Sequence, residues 1–304
     1  MALAVTDLAV DLEARGVSVS RDAPVADLTT YRIGGPASIL VRVRSEVELL
    51  EVSGAVRAQA IPVIIVGRGS NLLVADTGFP GLAVVLDGAF NQLDLDDDRV
   101  RAGGAVPLPV LARRSAAGGL AGLEFYVGIP GSVGGAVRMN AGGHGRETRD
   151  VLHSARTVDL SSGTVREVDA DGLDLGYRHS SVHDRMVVTA ATFAVATDDP
   201  DACEARVAEV VRWRREHQPG GANAGSVFRN PPGDAAGRLI DAAGLRGLRV
   251  GGAVVSPKHA NFFQADPDAT AADVRGLVEE VRRRVRARFG VDLQPELRMV
   301  GFGP

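Results

Sequence analysis

The segment GIPGSVGGAVRMNAGGHG, residues 128–145, decides how this chain is interpreted, because glycine interrupts it too often for an ordinary helix or strand. The residues that disfavour a helix or strand interior are Gly128, Pro130, Gly131, Gly134 and Gly135. Apolar residues such as Ile129 and Val133 are interspersed, which argues against a plain surface loop. The pattern favours a backbone that packs closely along a bound cofactor and offers its N–H groups to phosphates.

A second glycine-rich segment, VGRGSN at residues 66–71, follows the apolar run IPVIIV, which predicts a buried strand. Gly67 and Gly69 can adopt positive φ and let backbone N–H groups converge on an anion. Ser70 and Asn71 add side-chain donors. Taken alone, a tight turn without a ligand explains the segment equally well. The segment is neither a P-loop, which needs Gly-Lys-Ser/Thr, nor a G-x-G-x-x-G dinucleotide fingerprint.

The 304-residue chain has an ordinary globular composition, with 45% hydrophobic residues, and 34 Lys+Arg against 38 Asp+Glu give a net charge of −4. Its length predicts two domains, and its acidic balance disfavours nucleic-acid binding. No apolar run approaches the roughly 20 residues of a membrane span, and the N-terminal stretch is untypical of a secretory signal. We therefore expect a soluble, cytoplasmic protein. Cys203 is the only cysteine, which excludes an internal disulfide and a cysteine-based zinc site, and we predict no metal.

Hydrophobic periodicity predicts most of the regular elements. Helices are expected over 46–59, 107–117, 201–217, 235–244 and 270–289. Strands are expected over 61–66 and 83–86, and as short β-like runs alternating with turns between 151 and 195. Thr270 to Asp273 resembles a capping box, and Gly290 is well placed to end the last helix. The final segment alternates apolar and polar residues, which predicts a half-buried strand over 291–301.

Together the two glycine-rich segments resemble those of the UDP-N-acetylenolpyruvoylglucosamine reductase family (UDP-N-acetylmuramate dehydrogenases), flavoenzymes of peptidoglycan synthesis. The resemblance runs from about Thr29 to Gly301. It is carried by TTYRIGGPA (29–37), VGRGSNLL (66–73), IPGSVGGA with MNAGGHG (129–145), YRHS (177–180), RREHQP (214–219), AGSVFRNP (224–231), GRLIDAAGLRG (237–247), SPKHANFF (256–263) and PELRMVG (295–301). Each motif is weak alone, but their order and joint presence are specific. Because no Tyr-bearing insertion follows YRHS, the chain resembles the shorter type without a substrate-capping loop.

The resemblance implies an α+β fold. We expect an FAD-binding domain over 1–197, built as a PCMH-type flavin fold from two small α/β lobes at roughly 16–80 and 81–197. A C-terminal α+β substrate-binding domain would occupy 198–304, where the final predicted strand brings Glu296 to the active site.

The resemblance also implies the cofactors. NADPH is the hydride donor, and FAD is bound without a covalent link, because the first glycine-rich segment has no histidine. His144 stands where the family often has tyrosine. The residues implied to hold FAD are Arg32, Val66, Gly67, Arg68, Gly69, Ser70, Asn71, Leu72, Gly128, Ile129, Pro130, Gly131, Ser132, Gly134, Gly135, Asn140, Ala141 and Gly142.

The implied reaction adds hydride to the enolpyruvyl double bond of UDP-N-acetylglucosamine enolpyruvate. An enolate-like charge must then be stabilised and protonated. Arg178 fits the fixed cation, because a guanidinium binds a carboxylate bidentately. Ser226 fits the proton donor, and Glu296 fits the residue that polarises the enol or orients water. The residues implied to contact the UDP-sugar are Tyr177, Arg215 and Asn230.

Two other functions stay open at this point. An FAD-dependent sugar or alcohol oxidase of the same flavin fold would not need the three catalytic candidates. A flavin- or nucleotide-sugar-binding module without catalysis would not need them either, and their joint presence argues against it. We expect a monomeric oxidoreductase that acts on a small molecule in cell-wall biogenesis, and so supports cell shape and division, with neither nucleic acid nor membrane as partner. The roles of His144, His259 and Asn261 are not predicted.

Overall fold

A computed structural model describes residues 2–57 and 59–303, so that Met1, Ala58 and Pro304 lie outside the described residues. The chain divides into two compact units, each built from three separate stretches of the sequence. Unit 1 comprises Met1–Ala23, Ala37–Arg68 and Pro80–Trp213, and unit 2 comprises Pro24–Pro36, Gly69–Phe79 and Arg214–Pro304. The sequence predicted a single boundary at residue 198 instead. The difference arises because Tyr31, Ile33 and Leu73 bury their side chains in the same core as the C-terminal helices.

Seven α-helices form among the described residues. They are α1 Ala2–Ala14, α2 Glu46–Arg57, α3 Leu108–Ala117, α4 Val133–Met139, α5 Pro200–His217, α6 Ala236–Ala242 and α7 Ala271–Phe289. The five predicted helices agree to within two residues at each end, and of the range 46–59 only Ala58 cannot be compared. Across residues 2–57 and 59–303, no helix combines the length and apolarity of a membrane span.

The strands are mostly short. They are β1 Val19–Pro24, β2 Pro36–Val43, β3 Val63–Val66, β4 Leu72–Val74, β5 Phe79–Leu86, β6 Leu93–Leu95, β7 Arg99–Gly103, β8 Leu120–Ala121, β9 Gly142–Gly143, β10 Arg146–Glu147, β11 Leu152–Asp159, β12 Thr164–Asp169, β13 Met186–Ala194, β14 Ala196–Thr197, β15 Ala222–Ser226, β16 Arg249–Val250, β17 Ala253–Val255, β18 Phe262–Ala265 and β19 Arg298–Val300.

Unit 1 contains two larger sheets, besides the two-stranded sheets β9-β10 and β8-β14. The first has the order β1-β2-β5-β3, and its buried residues pack with those of α1 and α2. The second has the order β12-β11-β13-β7-β6, and it packs with α3 and α4. These sheets correspond to two α/β lobes, but β5 belongs to the first sheet, so that this lobe extends to Leu86 rather than to residue 80.

Helix α4 corrects the expectation that residues 128–145 exclude a regular helix. A Cβ atom added to Gly134 would lie 3.1 Å from the Val188 carbonyl oxygen and 3.2 Å from that of Gly104. The Gly134 N–H donates to Gly104 O at 2.9 Å. Glycine therefore lets the helix backbone lie close against the second sheet, and this tertiary packing outweighs the low helix propensity of glycine.

Unit 2 is built on a sheet of order β15-β18-β17-β16, whose buried residues share a core with α6 and α7. Helix α7 begins with the predicted capping box, in which Thr270 Oγ1 accepts from Asp273 N–H at 3.1 Å. It ends at Gly290, which has a φ of 70°. The predicted strand over 291–301 is wrong in extent, since only β19 is a strand and it pairs in parallel with β4. Pro295, which lacks an N–H group, forms an isolated bridge with Phe228 instead of lying within a strand.

Candidate active site

In unit 1, Arg178 lies at the tip of a tight turn. Gly176 and His179 exchange two backbone hydrogen bonds of 3.1 Å across it. Arg178 itself has a φ of 53°, in the left-handed region that non-glycine residues seldom adopt. Such backbone conformations concentrate at functional sites, because the surrounding structure must hold them in place.

The Arg178 guanidinium lies against the second glycine-rich segment. Its Nη2 donates to Gly142 O at 3.4 Å, and its Nη1 is 3.8 Å from Glu147 Oε1. It also lies over the Tyr177 ring, 5.0 Å from the centroid. Only 19% of the Arg178 side chain is exposed. Unit 1 therefore holds a partly buried, permanently charged cation beside the segment predicted to bind flavin.

Asn140 fixes the turn that carries Arg178. This fully buried residue ends α4 with a φ of 41°. Its Nδ2 donates to Gly176 O at 2.8 Å and to Glu147 Oε2 at 3.1 Å, and its Oδ1 accepts from Arg149 N–H at 2.9 Å. Because the amide already has these protein partners, a flavin contact through the Asn140 side chain stays a prediction.

The two glycine-rich segments meet within unit 1. A Cβ atom added to Gly67 would lie 2.4 Å from Ser132 Oγ, and Ser132 is only 3% exposed. Gly131 O accepts from Leu108 N–H at 3.0 Å, which holds the loop before α4 in place. A backbone this close to a neighbouring loop is the kind of surface along which an extended phosphate-containing cofactor packs.

Unit 2 contains both Arg32 and residues 69–71, the part of the first glycine-rich segment that lies outside unit 1. Arg32 has a φ of 58°, and its N–H donates to Thr29 Oγ1 at 3.1 Å. Gly69 has a φ of 57°, and an added Cβ atom would lie 2.1 Å from Leu28 O and 2.6 Å from Thr29 Cα. Residues 69–71 lie outside strands and helices. Within the described residues, the N–H groups of Gly69, Ser70 and Asn71 donate to no backbone carbonyl in this loop region. These N–H groups fit an anionic ligand such as a diphosphate.

Ser226 follows a bulge at the end of β15. The register with β18 shifts between Asn223 and Ser226, and Gly225 has a φ of 72°. Gly225 N–H donates to Asn223 Oδ1 at 3.0 Å. Bulges change the direction of a side chain relative to the sheet, and here the bulge leaves Ser226 partly exposed.

Glu296 is held close to Ser226 through the backbone of unit 2. Its N–H donates at 2.8 Å to the carbonyl oxygen of Val227, the residue that follows Ser226. Its own carbonyl oxygen accepts from Asn71 Nδ2 at 3.0 Å. Unit 2 therefore joins a weak acid, a carboxylate and part of the first glycine-rich segment.

The other predicted residues occupy varied positions. In unit 1, Val66 ends β3, Arg68 follows it, Gly128 to Pro130 precede the Ser132 loop, Gly135 lies within α4, and Ala141 follows Asn140. In unit 2, Leu72 begins β4, while Arg215 and Asn230 are exposed. Asn230 Oδ1 accepts from Ala236 N–H at 3.0 Å, so this side chain also caps α6.

The sequence did not predict roles for three residues. His144 has a φ of 54°, and its ring lies edge-to-face with that of Trp213, with 4.8 Å between the ring centroids. His259 Nδ1 accepts from Asn261 N–H at 3.3 Å, and burial lowers the pKa of this imidazole. Asn261 is 3% exposed and binds the backbone beside Ser226. Asn261 lies in the motif SPKHANFF, but the motif does not indicate these hydrogen bonds, because the partner Phe228 is 33 residues away in the sequence.

Comparison with known proteins matches two parts of the chain. A family model described as an FAD binding domain matches residues 37–169. A model described as the UDP-N-acetylenolpyruvoylglucosamine reductase C-terminal domain matches residues 217–300.

Two relatives that match along most of the chain have the same name. UDP-N-acetylenolpyruvoylglucosamine reductase from Methylorubrum populi is 46% identical over 91% of this chain and 90% of its own length. The protein of the same name from Rhodopseudomonas palustris is 44% identical over 97% of each chain. The crystal structure of UDP-N-acetylenolpyruvylglucosamine reductase from Thermus caldophilus matches with a TM-score of 0.80 at 38% identity, covering 93% of this chain and 98% of that one. A variant of berberine bridge enzyme with (S)-reticuline bound matches with a TM-score of 0.50 at 15% identity, which is a likeness of fold alone.

Proposed function

This chain belongs to the UDP-N-acetylenolpyruvoylglucosamine reductase family, and from that premise we propose which of its residues carry the reaction. The protein is an FAD-containing oxidoreductase that uses NADPH to reduce UDP-N-acetylglucosamine enolpyruvate to UDP-N-acetylmuramate in peptidoglycan synthesis. When bound, FAD supplies the hydride transfer that links the two substrates. The polypeptide must therefore bind the cofactor, orient the enolpyruvyl group and control charge and protons around it.

Both glycine-rich segments hold FAD in this proposal. The residues proposed to contribute are Gly67, Arg68, the loop 128–132, Arg32 and the N–H groups of residues 69–71. The close approach of Gly67 to Ser132 supports this, because it brings the two glycine-rich segments together so that both can contact one ligand. The absence of histidine from the first segment supports non-covalent binding.

Arg178 stabilises the negative charge that develops when hydride adds to the substrate carbon. A guanidinium stays charged at any physiological pH and binds a carboxylate through two parallel hydrogen bonds. Its partial burial strengthens the interaction, because the local dielectric constant is lower than in water. The left-handed turn and the Asn140 hydrogen bonds support this role, since they fix the direction of the side chain before substrate binds.

Ser226 donates the proton that completes the reduction, and Glu296 stabilises the enol or orients it. A serine hydroxyl is a weak acid, so it can protonate only a strongly basic carbon such as that of an enolate. The observation that carries this assignment is the hydrogen bond from Glu296 N–H to Val227 O, which attaches Glu296 to the residue that follows Ser226. The exposed residues Tyr177, Arg215 and Asn230 contact the UDP-sugar. The protein acts as a cytoplasmic monomer.

An anaerobic absorbance titration of the purified holoenzyme tests this function. NADPH should bleach the flavin band, and UDP-N-acetylglucosamine enolpyruvate should restore it without oxygen. If only oxygen restores the band, the chain is instead an oxidase-type enzyme of the same fold. If the protein neither contains nor takes up FAD, the proposal is wrong.

A further inference from the structure

Asn261 forms three hydrogen bonds with the backbone that follows Ser226. Its Nδ2 donates to Phe228 O at 2.8 Å, and its Oδ1 accepts from Phe228 N–H at 3.0 Å. Its backbone carbonyl accepts from Val227 N–H at 2.9 Å. Asn261 directly precedes β18, in which Phe262 is the antiparallel partner of Ser226. Asn261 therefore extends the hydrogen bonding between β15 and β18 by one residue beyond the start of β18.

The segment held by Asn261 is the one that holds Glu296. Val227 O accepts from Glu296 N–H at 2.8 Å and from Leu297 N–H at 3.3 Å. Val227 and Phe228 are both almost completely buried, so that no water replaces a lost partner. A change at Asn261 would be transmitted to Ser226 through the chain and to Glu296 through Val227.

We propose that Asn261 is a positioning residue for the protonation step: it fixes the Val227–Phe228 backbone and thereby the separation of the Ser226 hydroxyl from the Glu296 carboxylate. This inference rests on the proposed roles of Ser226 and Glu296. It does not involve a contact between Asn261 and any ligand. Displacements of about 1 Å at reacting groups are enough to slow catalysis by about 100-fold.

The Asn261 amide satisfies both atoms of Phe228, because it offers one donor and one acceptor at a fixed spacing. In Asn261→Ala both partners are left unsatisfied. In Asn261→Asp the ionised carboxylate accepts from Phe228 N–H but repels Phe228 O. Burial and this repulsion raise the pKa of the carboxyl in Asn261→Asp. When it is protonated, its O–H group can donate to Phe228 O. Asn261→Asp should therefore regain function as the pH falls.

The first measurement is amide hydrogen exchange on the holoenzyme. Asn261→Ala should increase exchange about 10-fold at Phe228, in line with one lost hydrogen bond, and also at Glu296 and Leu297. Gln264→Ala is the matched control, since this amide, three residues further along in β18, also donates to a backbone carbonyl, Gly220 O. It should leave both segments unchanged. Faster exchange confined to Phe228 would overturn the proposal.

The second measurement separates the two half-reactions by stopped flow. Asn261→Asp should be reduced by NADPH within about threefold of the wild-type rate, while reoxidation by the enolpyruvyl substrate slows about 100-fold at pH 8. Its rate relative to the wild type should recover by at least tenfold towards pH 6. A pH-independent ratio, or equal slowing of both half-reactions, contradicts the positioning role. If the substrate fails to reoxidise the wild-type enzyme, the proposed function fails instead, and the exchange data still decide whether Asn261 orders Glu296.

Discussion

The side-chain amide of Asn71 donates a hydrogen bond of 3.0 Å to the backbone carbonyl oxygen of Glu296. The Asn71 carbonyl oxygen in turn accepts from Arg298 N–H at 3.1 Å. Asn71 belongs to the first glycine-rich segment, whereas Glu296 belongs to the last segment of the chain. Within unit 2, a single residue therefore links a proposed cofactor-binding loop to a proposed catalytic carboxylate.

Replacing Asn71 should weaken cofactor binding. In Asn71→Ala the loop loses its attachment to Glu296, and we expect the Kd for FAD to rise about 10-fold, as for one hydrogen bond. Fluorescence titration of the apoprotein with FAD measures it. Asn91→Ala is the control, because Asn91 Nδ2 donates to Asp87 Oδ1 on the exposed surface. Equal FAD affinity in the two variants would mean that the Asn71 attachment does not order the loop.

Removing the Ser226 hydroxyl should separate the two half-reactions. General acid catalysis contributes about 10²- to 10⁴-fold to a rate, so Ser226→Ala should slow reoxidation by the enolpyruvyl substrate by that factor. Reduction by NADPH needs no proton from this residue and should stay close to the wild-type rate. Stopped-flow absorbance of the flavin measures both. Wild-type turnover in Ser226→Ala would remove the proton-donor role.

Charge alone should not replace Arg178. Arg178→Lys keeps the cation but loses the planar fork, and we expect kcat/KM for the enolpyruvyl substrate to fall about 10- to 100-fold. Arg149→Lys is a demanding control, since Arg149 Nε pairs with the other carboxylate oxygen of Glu147 at 3.0 Å and its side chain is 53% exposed. It should change kcat/KM less than twofold. Similar losses in both variants would indicate that the guanidinium pairing of Glu147, rather than a contact of Arg178 with the substrate, determines kcat/KM.

Local sequence patterns were sufficient to predict elements whose stability is largely local. Helix α7 illustrates this, because Thr270, Asp273 and Gly290 mark its ends and its apolar stripe marks its buried face. The α+β class and the pairing of an FAD-binding part with a second part also follow from the sequence. Helix α4 could not be predicted, because Gly134 lowers helix propensity and is selected by contacts with Val188 and Gly104, which are distant in the sequence.

In the candidate site, too, local patterns predict some features, whereas others depend on contacts that are distant in the sequence. Motifs identify Ser226 and Glu296 as candidates, but not the Val227 carbonyl oxygen that joins them. Asn261 lies in a recognisable motif, yet its role depends on hydrogen bonds to Phe228. Long-range pairings of backbone atoms carry no residue-type signal, since every residue offers the same N–H and C=O groups.

His259 should make the protein less stable in mild acid. Burial, aided by the positive charge of Arg246, lowers the pKa of this imidazole below its usual value of about 6.5. The unfolded chain therefore binds a proton at a higher pH than the native state does, so that stability is retained above pH 6.5 and decreases as the pH falls below it. Urea denaturation at pH 7.5 and 5.0 should show a smaller decrease for His259→Gln than for the wild type. His153→Gln, at an exposed position, should behave like the wild type, and identical decreases in all three proteins would contradict the assignment.

Gly69 and Gly290 separate the two reasons for requiring glycine. Both have a left-handed backbone, with φ of 57° and 70°, but an added Cβ atom at Gly69 would overlap Leu28 O, whereas at Gly290 nothing lies within 4 Å. Gly290→Ala should lower the free energy of unfolding by about 1–2 kcal/mol, the cost of this backbone conformation, and leave the Kd for FAD unchanged. Gly69→Ala should lower the free energy of unfolding by about 1–3 kcal/mol more than Gly290→Ala does, because of the overlap. It should also bind FAD at least tenfold more weakly than the wild type. Denaturation and FAD titration of both variants measure this, and equal effects would show that backbone conformation alone, rather than close approach, requires glycine in the loop.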